Sequence, residues 1–314
     1  MTEIVSLEQP NKPILTVSDV IDAYMRDREN PYAERVCKNP KSIGYHFIPI
    51  RAVWGEMTVE AFKDKSKARV KAQGEEWRRA GWKQGTLRKR VSQLKTAFKF
   101  CVEEELLPSE LMPVIKLPAQ GPARERVLTM EELSRLLWYA DQPETECHIR
   151  LNLHLSLRTG QRQSAQRDLK WENVDFTNRV VRYRDTETPD ERSKKRRTSM
   201  PMDDALLAIL TEAKENAETE WVLERHGRRV LSTYAGMKAL YKRASIEGVH
   251  RHDLRRTAAT LAHIGTGGDM KAAAGFIGDT EAMAQKHYVH SGAETRLAPV
   301  IAISDVLAAA RRRA

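Results

Sequence analysis

Cysteine is scarce in this chain, and its three copies, Cys37, Cys101 and Cys147, are odd in number and far apart. That spacing offers neither a disulfide framework nor a zinc knuckle, which leaves buried, reduced thiols as the expected state. Long apolar runs are lacking too. No stretch reaches membrane-spanning length, and no apolar segment flanked by basic residues opens the chain, so a soluble, intracellular protein with no membrane partner is expected. A phosphate-binding P-loop and an HExxH pattern are both missing, and neither a nucleotide nor a metal cofactor is called for.

Length and positive charge are what the chain does have. Its 314 residues can bury a proper core and suit two domains better than one. Lysine and arginine number 53 against 43 aspartates and glutamates, a formal charge of +10. Basic groups held near phosphates release condensed counterions, which makes nucleic acid the leading partner; a basic but solvated surface is the alternative.

Local patterns divide the chain. Residues 1–12 look untethered. Thr16 with Asp19 forms a capping box ahead of Val17, Val20, Ile21 and Tyr24 on one helical face. From Thr86 to Leu106, Leu87, Val91, Leu94, Phe98 and Val102 recur at three- and four-residue steps, which predicts a helix with one core face. Arg88, Lys89, Arg90, Lys95 and Lys99 lie between them as candidate DNA-binding cations, or as a merely solvated face. Pro118, Gly121 and Pro122 stop helix continuation in LPAQGPARERV and mark a linker over 117–126. A second capping box, Thr129 with Glu132, opens the next helix. Beyond a helical pattern from about His148 to Arg158, three extended stretches begin at Leu169, Arg179 and Arg196, which predicts a small antiparallel sheet. The remainder reads as helical, broken by a turn at GTGGD from Gly265.

Three motifs then stand in order: TGQR at Thr159–Arg162, HDLR at His252–Arg255 and KHYVH around Tyr288. With DLKWENVDF between them, they resemble the tyrosine recombinase (phage integrase) family. The resemblance implies a mainly α fold with a small antiparallel β-sheet, made of a helical core-binding domain over 13–116 and an α+β catalytic domain over 127–300, with a tail over 301–314 as a docking helix or a frayed basic end. It implies catalytic roles for Arg162, His252, Arg255 and Tyr288. The family's hairpin lysine falls on Lys194, with Lys195 as the alternative. Double-stranded DNA would be the partner, gripped by both domains and recombined by a homotetramer on two sites, with an accessory DNA-bending or directionality factor. A bacterial, nucleoid-associated setting and a phage or mobile-element origin also follow from the resemblance.

Residue chemistry suits those roles. Two guanidiniums can hold the non-bridging oxygens of a phosphate undergoing transesterification and stay charged at any working pH, so no metal is needed. Tyrosine ionises near pH 10 and needs help losing its proton, for which His252 is the candidate base or hydrogen-bond partner. At i and i+3, His252 and Arg255 share one helical face. His287 and His290 flank Tyr288 at one-turn spacing, but no third ligand makes a metal site of them.

Two positions depart from the family pattern. Ala165 stands where an acidic residue commonly supports the first arginine, and Asp279 stands nine residues before Tyr288, where the family often has histidine. A carboxylate there opposes a phosphate unless it is protonated or turned away. His287 or His290 could supply the missing contact. The expected function is a site-specific DNA recombinase acting through a 3′-phosphotyrosine intermediate, which needs no nucleotide cofactor. The alternatives are a non-catalytic DNA-binding protein using the same clamp and a relaxing topoisomerase.

Overall fold

The computed structural model describes residues 15–30, 37, 39–121, 124–183 and 199–287. The chain divides into two compact units, Met1–Pro122 and Ala123–Ala314.

Five helices build the first unit: α1 (Val17–Glu29), α2 (Pro40–Trp54), α3 (Val59–Asp64), α4 (Ser66–Arg79) and α5 (Gln84–Glu103). The Thr16 box is formed: the threonine hydroxyl accepts from the Asp19 N–H at 3.2 Å, and the Asp19 carboxylate accepts from the Thr16 N–H at 2.9 Å. Two orphan donors of the helix start are thereby satisfied. Leu87, Val91, Leu94 and Phe98 are fully buried on α5, with Val20 and Ile21 of α1, Phe47 and Ile50 of α2, and Phe62 of α3 in the same core. Phe62 and Phe98 stack with ring centroids 5.6 Å apart. Each such side chain contributes about 1.5–3 kcal/mol of burial free energy.

The second unit is a helical domain carrying two small sheets. Its helices are α6 (Met130–Ala140), α7 (Cys147–Thr159), α8 (Gln163–Arg167), α9 (Asp204–Glu215), α10 (Tyr234–Arg243), α11 (Arg251–Gly265), α12 (Met270–Ile277) and α13 (Glu281–His287). From His148 to Thr159 every residue of α7 but Arg150 is buried, because α6, α9 and α11 pack around it; a helix enclosed on all sides must fill its surface with apolar or internally bonded groups.

Strands β1 (Val174–Asp175), β2 (Val180–Val181) and β3 (Met200–Pro201) form the expected antiparallel sheet in the order β1-β2-β3. Asn178 makes the first turn: its N–H and its side-chain amide donate to Asp175 at 2.9 and 2.8 Å. The stretch from Leu169 is less extended than expected, since Trp171–Asn173 is a 3₁₀ turn.

One expectation is overturned. The region beyond β3 is not wholly helical, because β4 (Glu224–Arg225) pairs with β5 (Arg228–Arg229) in a tight hairpin. His226 and Gly227 turn it at φ 51° and 64°. Two consecutive positive φ values suit a two-residue hairpin turn, but with charged residues in both strands no apolar alternation advertised it. The GTGGD break is a turn, with Gly267 and Gly268 at positive φ. Among the described residues no helix is long and apolar enough to cross a membrane.

Candidate active site

Arg162 owes its position to the end of α7. Gly160 caps that helix in the left-handed region at φ 60°, and a Cβ there would lie 2.8 Å from a ring carbon of Phe276 and 3.1 Å from Ile277 Cγ2. Only glycine satisfies both the backbone angle and the close approach of α12. The chain then passes through buried Gln161 and reaches Arg162, the residue that precedes α8.

A buried set of amides and hydroxyls holds this turn. Gln166 donates to the Gln161 carbonyl at 3.0 Å and accepts from Asn152 Nδ2 at 2.7 Å. The Ser156 hydroxyl bonds the Asn152 carbonyl at 2.7 Å, and the Thr233 hydroxyl donates to Asn152 Oδ1 at 3.1 Å. Unpaired, such groups would cost about 1–3 kcal/mol each on burial; bonded to one another, they fix the turn.

HDLR enters on α11. Within it, fully buried Asp253 accepts from the His250 N–H at 2.8 Å, from Arg256 at 2.8 Å, and from Arg124 Nε at 3.0 and 2.9 Å on its two oxygens. A carboxylate in the first turn also suits the positive end of the helix dipole. His252 and Arg255 flank it one turn apart, and both line a cavity of about 260 Å³ with Arg162, Gln161, Gln163 and Arg251.

Arg255 spans the site. Its Nη1 donates to the Gly160 carbonyl at 2.6 Å, tying α11 to the arginine turn, and its side chain is 3 % exposed. Its Nη2 lies 3.0 Å from Asp279 Oδ2, the same atom that Arg162 Nη2 approaches at 2.8 Å. Two guanidiniums from distant parts of the chain thus converge on one oxygen. His252 is held below its ordinary pKa by partial burial of the ring and then by the positive charges of Arg255, Arg162 and Arg256, against which Asp253 acts weakly. Its imidazole is therefore neutral at neutral pH and can accept a proton.

Arg162, His252, Arg255 and Asp279 are thus gathered in one place. Lys194, Lys195, Tyr288 and His290 lie outside the described residues, as does the side chain of His287, whose backbone ends α13. Ala165 is buried among apolar groups. In the first unit, Lys89, Lys95 and Lys99 are exposed on α5. Lys99 pairs with Glu103 at 3.0 Å, Arg90 stacks over Trp82 at 3.9 Å, and Arg88 donates to the Pro118 carbonyl.

The residues that sequence reasoning missed are Asn152, Gln166, Thr233, Asp253 and Arg124. A polar residue in the middle of a buried helix, as Asn152 is in HIRLNLHL, was the one available signal.

The phage integrase family model matches residues 126–295. Over 231 residues the chain is 25 % identical to the tyrosine recombinase XerC of Bacillus subtilis (strain 168), covering 68 % of this chain and 73 % of that protein. A lambda integrase dimer bound to a COC' core site superposes with a TM-score of 0.67 at 18 % identity, over 89 % of this chain and 97 % of that one. The Tn1549 transposon integrase in complex with a circular intermediate DNA gives 0.69 at 17 % identity, over 90 % and 98 %. A lambda integrase tetramer bound to a Holliday junction gives 0.63 at 17 %, over 92 % and 80 %. At these identities the structural likeness is one of fold.

Proposed function

The chain belongs to the phage integrase family, and from that premise we propose that it is a site-specific DNA recombinase that cuts and rejoins strands through a covalent bond to Tyr288. The observation that carries the proposal is the convergence of Arg162 and Arg255 on a single oxygen, at 2.8 and 3.0 Å, beside a neutral histidine. A phosphate in transesterification asks for that arrangement: fixed positive forks on a non-bridging oxygen and a nearby proton acceptor.

In the reaction, the Tyr288 hydroxyl oxygen attacks phosphorus while its proton passes to His252. The P–O5′ bond breaks, and the departing 5′ oxygen takes a proton from Lys194 or Lys195. Arg162 and Arg255 hold the added negative charge of the pentacoordinate phosphorus. The 3′-phosphotyrosine conserves the energy of the diester, so attack by another strand's 5′-hydroxyl reverses the steps without a nucleotide. Proton transfer by a positioned side chain is worth about 10²–10⁴ in rate.

In this reading residues 13–116 are the core-binding domain and the exposed lysines of α5 meet the DNA backbone, while residues 127–300 carry the chemistry. Assembly is as a tetramer on two sites, in keeping with the lambda integrase tetramer on a Holliday junction. One observation favours a second reading, DNA binding without cleavage: the arginine pair already holds a carboxylate.

Sheared DNA from the source organism, incubated with the wild type and with Tyr288→Phe and then denatured, separates the two. A covalent adduct formed by the wild type alone and mapped to Tyr288 establishes cleavage and identifies the target. Tight binding by both proteins with an adduct from neither establishes the second reading.

A further inference from the structure

Asp279 does more than fill a histidine's place. Its Oδ2 stands at the point of convergence of Arg162 and Arg255, with its side chain 15 % exposed and that of Arg255 only 3 %. The backbone aims it there. Gly278 ends α12 in the left-handed region at φ 66°, and the Asp279 N–H donates to the Ala274 carbonyl at 2.9 Å. The Thr280 hydroxyl then accepts from the Met283 N–H at 3.3 Å, near the start of α13. The carboxylate therefore sits in a short, capped connection between two helices and is not a wandering surface group.

We propose that Asp279 is a resident anion occupying the seat of the scissile phosphate, which DNA must displace before cleavage, and that it thereby sets the specificity of the reaction. This rests on the function proposed above. Two arginines and one aspartate leave the pair with a single net positive charge. Once displaced, the carboxylate is an unpaired anion near a phosphate and opposes it. A duplex held only by scattered backbone contacts does not repay that opposition. One seated along its whole length does, because many phosphates release counterions together. The gate discriminates between chance encounters and a fully docked site.

Ala165 strengthens the assignment. Its side chain is buried within an apolar cluster and offers no acceptor, while Asp279 places a carboxylate oxygen 2.8 Å from Arg162. If Asp279 only braced the arginines, removing its charge would disorder them and weaken phosphate binding. If it competes with phosphate, the same change strengthens binding. The two roles predict opposite signs.

The test uses the full chain with ¹⁵N-labelled arginine. Inorganic phosphate is titrated against the Arg162 and Arg255 Nε–Hε resonances, assigned through Arg162→Lys and Arg255→Lys. Asp279→Asn and Asp279→His are compared with the wild type, each shown folded by circular dichroism; should one fail to fold, the other carries the comparison. Half-saturation at about tenfold lower phosphate in the variants is expected, the scale of one charge-assisted contact. Equal midpoints, or weaker binding in the variants, overturn the gate. In wild-type protein carrying ¹³C-labelled aspartate as well, the Asp279 carboxyl carbon, assigned by its loss in Asp279→Asn, must shift as phosphate saturates the arginines, and an unmoved carboxyl also overturns it. No DNA enters these measurements. A chain that passes them but never forms the Tyr288 adduct loses the recombinase reading and keeps the resident anion, whereas one that forms the adduct but fails them loses only the gate.

Discussion

Replacing Asp253 by asparagine should destabilise the second unit by about 2–4 kcal/mol. The carboxylate is fully buried and accepts from the His250 N–H, Arg256 and Arg124. Removing one partner of a buried ion pair costs about 3–5 kcal/mol, because the charge left behind is neither hydrated nor paired. Arg124 is 41 % exposed and regains water, but Arg256, at 9 %, does not; only part of the full cost is therefore expected. At about 2–4 °C per kcal/mol for a unit of this size, the melting temperature falls by roughly 5–15 °C. Urea unfolding followed by tryptophan fluorescence gives the free energy, and Arg124→Met is the control that should cost less than Asp253→Asn. A loss below about 1 kcal/mol, or Arg124→Met costing more, would refute the assignment of Asp253 as the charge that seats the start of α11.

Gly160→Ala should cost about 2–4 kcal/mol, from left-handed strain together with the clash against Phe276 and Ile277, and calorimetry reads it directly. His148, His154 and His252 are all held below their ordinary 6.5, chiefly by burial. Each remains neutral in the fold at a pH where the unfolded chain would bind a proton, so stability is complete above about pH 6.5 and declines on acidification; melting curves from pH 7.5 to 5 test this. The same depression of His252 predicts that single-turnover cleavage under kcat/KM conditions is flat from about pH 6.5 to 9 and falls in acid, while His252→Gln slows it about 10²–10⁴-fold on that plateau and by a shrinking factor below it. Lys89→Gln and Lys95→Gln should each weaken DNA binding for all sequences and reduce the salt slope by about one, with a smaller change for Arg88→Gln, whose guanidinium is engaged by the Pro118 carbonyl.

Features carried by short-range rules were the ones legible in the sequence. The Thr16 and Thr129 boxes, the apolar face of α5 and the turn at Asn178 each depend on residues within a few positions of one another. His252 and Arg255 could be set on one face for the same reason. The pairing of Asp279 with both arginines was not legible, because it joins three chain segments that meet only in the folded domain. Sequence reasoning marked the carboxylate as an intruder but gave no direction for its side chain. Asn152 and Gln166 looked like ordinary polar residues until burial made them a network. The β4–β5 hairpin was hidden by charge at strand positions where periodicity looks for apolar groups.

The turn that carries Arg162 is braced by Asn152, Ser156, Gln161 and Gln166, and none of these side chains ionises. Added salt therefore has no charge to screen within the brace, and a shift in pH has no proton to add or remove. A change in DNA affinity with ionic strength is then to be sought in the surface cations and in the Asp279 ion pairs, not in the mount of the arginine turn. The neutrality of that small network leaves the ion pairs of Asp279 and the buried histidines as the parts of this domain on which salt and acid act.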